Sequence, residues 1–231
     1  MQPGRPYGRH WDEKFRTRRW GRYPPEDLVR FMGRSFGETD HTMVAVLEIG
    51  CGPGPNLWFL HREGFRVSGI DGSPAAVEAA ARRLSEENKG LNPIPPDLKV
   101  GDIASLPWAP ATFDVVVDIL ALYANTLDVI RAATREVLRV LKPGGRFYTK
   151  LWGRNTSGYG LGTELEPGTY DDIPVGPCRG MGVSHFFDRE EIARMFSDFD
   201  VTAIDVITRT DRTVGDLHIE EYVCQLRKPE R

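Results

Sequence analysis

The chain of 231 residues lacks several features that would settle its class at once. No apolar run approaches the roughly 18 to 20 residues needed to span a bilayer. The opening MQPGRPYGRH has no apolar centre and does not read as a secretory signal. Cysteine is scarce: Cys51, Cys178 and Cys224 are odd in number and widely spaced, giving neither a disulfide framework nor zinc-ligand spacing. Repeats and low-complexity tracts are missing too. Asp171-Asp172 has no companion ligands nearby in sequence, so no metal is expected. With 40% hydrophobic and 27% charged residues, the composition excludes disordered and fibrous classes. What remains is a soluble, cytoplasmic chain long enough for one well-filled core.

The net charge of −3 hides an asymmetry. Nine basic residues and four acids lie between Arg5 and Arg34, which leaves the remainder acidic. A basic arm could hold an anionic substrate or nucleic acid; it reads equally as a solvated segment whose arginines pair with nearby acids. The acidic remainder argues against a long duplex footprint, which needs a broad basic face.

From about residue 43, short β-rich runs alternate with helical stretches, the pattern of a parallel sheet with crossover helices. Strands are expected at Met43 to Ile49, Phe65 to Ile70, Leu98 to Val100, Phe113 to Asp118 and Arg146 to Trp152. Helices are expected from Pro55 to Glu63, from Ser73 as N-cap to Lys89, and from Leu127 to Leu141. Asp188 is set to cap another helix. Val201 to Arg209 and His218 to Leu226 read as a terminal antiparallel hairpin. Residues 153–184, rich in glycine and proline, form a loop too long to be passive. Ahead of the sheet lies a helical arm of about 1–40, with a helix from Pro25 to Phe36; residues 41–231 form the main domain.

The string Val46-Leu47-Glu48-Ile49-Gly50-Cys51-Gly52-Pro53-Gly54 carries most of the functional inference. Gly50 and Gly52 let the backbone turn sharply and approach a ligand where a β-carbon would collide. The turn falls at the carboxyl end of the first strand, where doubly wound sheets bind nucleotides. Asp71 ends the second strand, where a carboxylate can accept both hydroxyl hydrogens of a ribose. A dinucleotide fingerprint, G-x-G-x-x-G, would require glycine at position 55, and Pro55 stands there. Glu48, two residues before the first glycine, also suits a cationic group better than a pyrophosphate.

EIGCGPG, together with GIDGSP (69–74), GDIASLPW (101–108), FDVVVDIL (113–120) and EVLRVLKPGGRF (136–147), resembles the class I, seven-stranded S-adenosylmethionine-dependent methyltransferases. The resemblance implies a Rossmann-like α/β sheet of strand order 3-2-1-4-5-7-6 with strand 7 antiparallel, and S-adenosyl-L-methionine as cofactor. It further implies that backbone around Gly50, Cys51 and Gly52 cradles the methionine part, with Glu48 holding the turn or meeting the ammonium through water. Asp71 would bind the ribose with Gly72 close by, and Asp102 and Ile103 would meet the adenine. Asp118 would lie beside the methionine amino group, or serve only as a structural hydrogen-bonding residue. Cys51 reads equally as a packing residue.

The acceptor side is less defined. An oxygen nucleophile usually needs a base within hydrogen-bond reach. His185 and Tyr123 are the candidate catalytic residues, though many relatives carry histidine near the place of Tyr123. Each also has a plain reading, Tyr123 as a core aromatic and His185 as a residue packed beside the last helix. Glu164 and Glu166 read mainly as solvated. Trp20, Arg22 and Tyr23 of the arm are expected as lid residues, with Trp152 on the substrate side. The absence of [DN]-P-P-[YF] after the fourth strand argues against base-amine methyltransferases. The sequence therefore suggests methyl transfer to an oxygen or nitrogen of a small molecule or sugar, with no membrane partner. The alternatives are an RNA-nucleoside methyltransferase using the basic arm and a non-catalytic S-adenosylmethionine-binding protein.

Overall fold

A computed structural model describes residues 6–213 and 215–230. Seven strands form one sheet: β1 (Ala45–Ile49), β2 (Arg66–Asp71), β3 (Asp97–Val100), β4 (Phe113–Ile119) and β5 (Leu141–Trp152), completed by β9 (Asp200–Asp211) and β10 (Leu217–Arg227). Their order is β3-β2-β1-β4-β5-β10-β9. The first five run parallel, while β10 pairs antiparallel with both β5 and β9. This is the order the motifs implied, with three short inserted strands between β5 and the last pair.

The central strands are buried on both faces, and their alternation feeds two cores. On one face Val46, Val115, Val117 and Tyr148 meet Leu28, Phe31 and Met32 of α2 (Glu26–Phe36) and Leu57 of α3 (Pro55–Arg62). On the other, Leu47, Ile49, Val116 and Phe147 meet Ile130 and Val137 of α5 (Leu127–Val140), with Ile192 of α6 (Arg189–Met195). Burying a side chain of this size is worth about 1.5–3 kcal/mol. Helix α4 (Pro74–Glu87) starts where expected: Ser73 accepts from the Ala76 amide at 3.2 Å. Asp188 likewise caps α6 through the Glu191 amide at 2.7 Å.

Two segments differ from the sequence expectation. Residues 153–184 carry a three-stranded sheet, β6 (Thr163–Glu166), β7 (Thr169–Asp171) and β8 (Ser184–His185), in sequence order. Buried Tyr170, Ile173, Cys178 and Phe186 tie this insertion to the α5-side core. Its glycines serve turns, as at Gly162 and Gly168, both with positive φ. The arm contains a further helix, α1 (Pro6–Thr17), ahead of α2. No helix among the described residues is long and apolar enough to cross a membrane.

Candidate active site at the carboxyl edge of the sheet

Three glycines follow β1 in the left-handed region: Gly50 (φ 62°), Gly52 (φ 52°) and Gly54 (φ 78°). A β-carbon on Gly50 would collide with that of Ala121, in the segment after β4. Glycine here lets the two strand ends close on one another. Asp71, at the end of β2, fixes the turn from the other side. One carboxylate oxygen accepts from the Gly52 amide at 2.9 Å and the other from the Ser73 amide at 2.8 Å. Burial pushes its pKa up to about 6, against the lowering effect of those two amides.

Glu48 faces α3 and not the turn's open side. Asn56 donates to one of its oxygens at 2.6 Å, while the other has no partner. Complete burial, with Asp118 and Asp71 nearby, pushes it up to about 8, so it is protonated at neutral pH. Its place anchors the first turn of α3 behind the glycines. Cys51 is buried in the same core, with its thiol pushed well above the usual value by desolvation.

Gly72 follows Asp71 and adjoins the next turn; a β-carbon on Gly72 would lie 3.8 Å from the Gly101 carbonyl. Asp102 is exposed there and accepts from the Ala104 amide at 2.9 Å, while Ile103 is half-buried against the core. Asp71–Gly72 and Asp102–Ile103 thus lie at one corner of the sheet's carboxyl edge. Asp118 is wholly enclosed. Its Oδ1 accepts from the Ala121 and Leu122 amides at 2.9 and 3.0 Å, and its Oδ2 from Thr149 Oγ1 at 2.6 Å. Burial raises it to about 6. Three donors on one carboxylate make it the post holding the 3-10 turn Leu122–Ala124, which carries Tyr123.

The arm reaches this edge through α1. The Phe15 ring lies 3.4 Å from where a β-carbon on Gly52 would be. Asp12 accepts from Ser73 Oγ at 2.7 Å and from the Ala75 amide at 2.9 Å, capping α4 from another element. Those contacts and Arg16 hold its carboxyl down at about 2. Trp11 and Phe15, four residues apart, share a helix face and stack with Trp20 at 6.0 and 4.8 Å. Such i,i+4 aromatic spacing was the available signal. Lys14 donates to the Gly180 carbonyl, so α1 bridges α4 and the insertion.

Of the expected lid residues, Trp20 belongs to this roof and its buried indole N–H has no partner. Arg22 and Tyr23 are elsewhere. Arg22 pairs with Glu87 of α4 at 2.7 Å, and exposed Tyr23 stands edge-on to Trp58 of α3 at 5.8 Å. Both lie on the outer α3–α4 face because the chain leaves the roof after Trp20.

On the expected acceptor side, Tyr123, in the turn after β4, and Trp152, the last residue of β5, meet edge to face at 5.9 Å, both buried. His185 is completely buried with both ring nitrogens engaged: Nδ1 with Thr169 Oγ1 at 2.7 Å and Nε2 with Glu191 at 3.1 Å. It ties the insertion to α6. Glu166 accepts from the Leu127 amide at 2.6 Å, capping α5, whose own Thr126 makes no side-chain cap. Glu164 accepts from Tyr170 at 3.3 Å. Among the described residues no group of three His, Cys, Asp or Glu side chains is arranged to hold a metal ion.

A parallel sheet with one antiparallel strand, β10, set between β5 and β9, together with a glycine turn after β1 and an acid ending β2, defines a Rossmann-like methyltransferase fold. Residues 46–145 match the family described as a methyltransferase domain. With this domain and the sheet order above, the chain has the fold of the class I S-adenosylmethionine-dependent methyltransferases. A solved structure of an S-adenosylmethionine-dependent methyltransferase from Methanosarcina mazei superposes with a TM-score of 0.67 at 25% identity, covering 81% of this chain and 93% of its own. A tRNA N(3)-methylcytidine methyltransferase of Schizosaccharomyces pombe is 26% identical over 152 residues, 64% of this chain and 48% of the relative. A dTDP-4-amino-2,3,4,6-tetradeoxy-D-glucose N,N-dimethyltransferase of Saccharopolyspora spinosa is 32% identical over 110 residues, 47% of this chain and 40% of the relative. The chain spans about half the length of the curated relatives it matches.

Proposed function

We propose that this chain transfers a methyl group from S-adenosyl-L-methionine to an oxygen or nitrogen atom of a small molecule or sugar. The observation that carries the reading is the Gly50–Gly52 turn braced by Asp71 at the carboxyl ends of β1 and β2. The residues fit the cofactor. Gly50 and Gly52 offer backbone without β-carbons, Asp71 a carboxylate for two ribose hydroxyls, and Asp102 with Ile103 a polar and an apolar contact for the base. Bound there, S-adenosylmethionine supplies a sulfonium methyl already activated for in-line displacement. The protein's part is to orient and to exclude water. Asp118 keeps the Tyr123 turn rigid, and Trp11, Phe15 and Trp20 roof the edge. No base is assigned to His185, whose two nitrogens are held by protein groups.

Calorimetric titration with S-adenosylhomocysteine tests this. The wild type should bind in the micromolar range, and Asp71→Ala should lose at least about tenfold, the worth of a charge-assisted hydrogen bond. No binding by folded wild type would sink the reading. The RNA reading is supported by the basic arm and the tRNA-methylating relative. Against it, Arg16, Arg22 and Arg30 are each paired with an acid of this chain. It would require binding of an oligoribonucleotide that weakens steeply with salt.

A further inference from the structure

We propose that the indole N–H of Trp152 and the hydroxyl of Tyr123 together hold an oxygen of the methyl acceptor, and that the acceptor is flat and largely apolar. The inference rests on the cofactor reading above and deepens it. Trp152 is 7% exposed, and its Nε1 is enclosed without a hydrogen-bond partner. Its ring meets that of Tyr123 edge to face at 5.9 Å. A buried donor left unmade costs about 1–3 kcal/mol. Folded proteins keep such a group where something else satisfies it.

Its place argues that this something is a ligand. Tyr123 and Trp152 follow the carboxyl ends of β4 and β5. Ala121, two residues before Tyr123, abuts the Gly50 turn. Acceptors in an open α/β sheet bind outside those ends. Both residues are rigidly set: Asp118 fixes the Tyr123 turn, and the Phe187 amide donates to the Trp152 carbonyl at 2.8 Å.

The surroundings choose the substrate class. Tyr170, Ile173, Cys178 and Phe186 share the core with Tyr123 and Trp152, and Trp11 of the arm packs against it. Aromatic and aliphatic walls suit a planar apolar body. Asp118 beneath them already accepts from three donors, and Glu164 is engaged by Tyr170. None of these wall residues is a cation for a phosphate, nor a free acid or amide to clasp successive sugar hydroxyls. The polar handle is therefore a single oxygen: a phenol, a hydroxyl or a carbonyl. Trp11 joins the roof to this wall, so the arm must lift to admit the acceptor.

The probes are 2-naphthol and 2-methylnaphthalene, equal in shape but unequal in oxygen, measured by equilibrium dialysis against the full chain saturated with S-adenosylhomocysteine. The wild type should hold 2-naphthol about tenfold more tightly, one to two hydrogen bonds' worth. Trp152→Phe should bring that ratio close to one while leaving 2-methylnaphthalene binding unchanged. Tyr123→Phe should lower it by a smaller factor, and serves as the second variant should Trp152→Phe fail to fold. A ratio of one in the wild type, or an unchanged ratio in both variants, overturns the proposal. So does tighter retention of dTDP-glucose or a uridine pentanucleotide in the same cells. Saturation with S-adenosylhomocysteine is itself read out: cofactor binding without naphthol binding removes only this inference, and failure of both removes the cofactor reading as well.

Discussion

On either side of the crevice between β1 and β4, the carboxyl edge of the sheet is built by different means. Toward β2 and β3 it is polar, and its parts are near neighbours: Glu48 with Asn56, Gly52 with Asp71, Asp71 with Ser73. Toward β5 it is aromatic and drawn from distant segments: Trp11, Tyr123, Trp152 and Tyr170 come from the arm, two strand ends and the insertion. Under the two proposals above, the polar side is the cofactor's and the aromatic side the acceptor's, and the two halves join where Ala121 meets Gly50.

The strongest way to break this comparison is at that joint. Gly50→Ala puts a β-carbon onto Ala121 in a residue whose φ of 62° already disfavours it. Strain and overpacking should cost about 2–4 kcal/mol, read as a lower urea midpoint. S-adenosylhomocysteine and naphthol binding should both collapse. If one half keeps its ligand, the halves are not joined through Gly50.

Asp118→Ala comes next. It strips an acceptor from the Ala121 and Leu122 amides and from Thr149, and buried donors left unmade cost about 1–3 kcal/mol. Because Asp118 positions the Tyr123 turn, the acceptor half should suffer more: naphthol binding should fall further than S-adenosylhomocysteine binding. Equal losses would mean that Asp118 serves the cofactor directly.

The same contrast explains what was legible in the sequence. The glycine turn, the acids at strand ends and the caps Ser73 and Asp188 are local devices, visible within a few residues. The strand order followed from motif resemblance. The acceptor half depends on contacts across more than a hundred positions, such as Lys14 with Gly180, for which no local pattern exists. Arg22 and Tyr23 looked like lid residues because they are charged and aromatic near Trp20, yet the chain turns onto the α3–α4 face between them. His185, a histidine at the return of a long loop, looked like a base; its burial between Thr169 and Glu191 is invisible without the insertion's sheet. Residues 153–184 read as loop because glycine and proline dominate, whereas β6 to β8 are held by their own pairing and residues 153–157 by β10.

Asp12→Ala probes the roof shared by both halves. Removing the bonds to Ser73 Oγ and the Ala75 amide should free α1 from α4, at a loss of about 1 kcal/mol. Association of S-adenosylhomocysteine, followed by stopped-flow fluorescence of Trp11 and Trp20, should speed up by about fivefold, since the arm opens more often by that factor. An unchanged rate would mean that the cofactor enters without lifting the arm.

The effect of Glu48→Gln is confined to the polar half and is read from its pH dependence. In the folded chain Glu48 keeps its proton up to about pH 8, while the ordinary value is 4.5. The folded state therefore binds more protons across that window, and stability falls as pH rises through it. Asp71 and Asp118, both raised to about 6, add the same sign of slope to wild type and variant alike, so the difference isolates Glu48. Glutamine resembles the protonated acid and can still accept from Asn56. The variant should match the wild type below pH 4.5, gain on it steadily up to about pH 8, and hold a constant lead above. Urea midpoints measured from pH 4 to 9 read this directly. A difference independent of pH would show that Glu48 is charged in the fold and overturn its reading as a protonated anchor of α3.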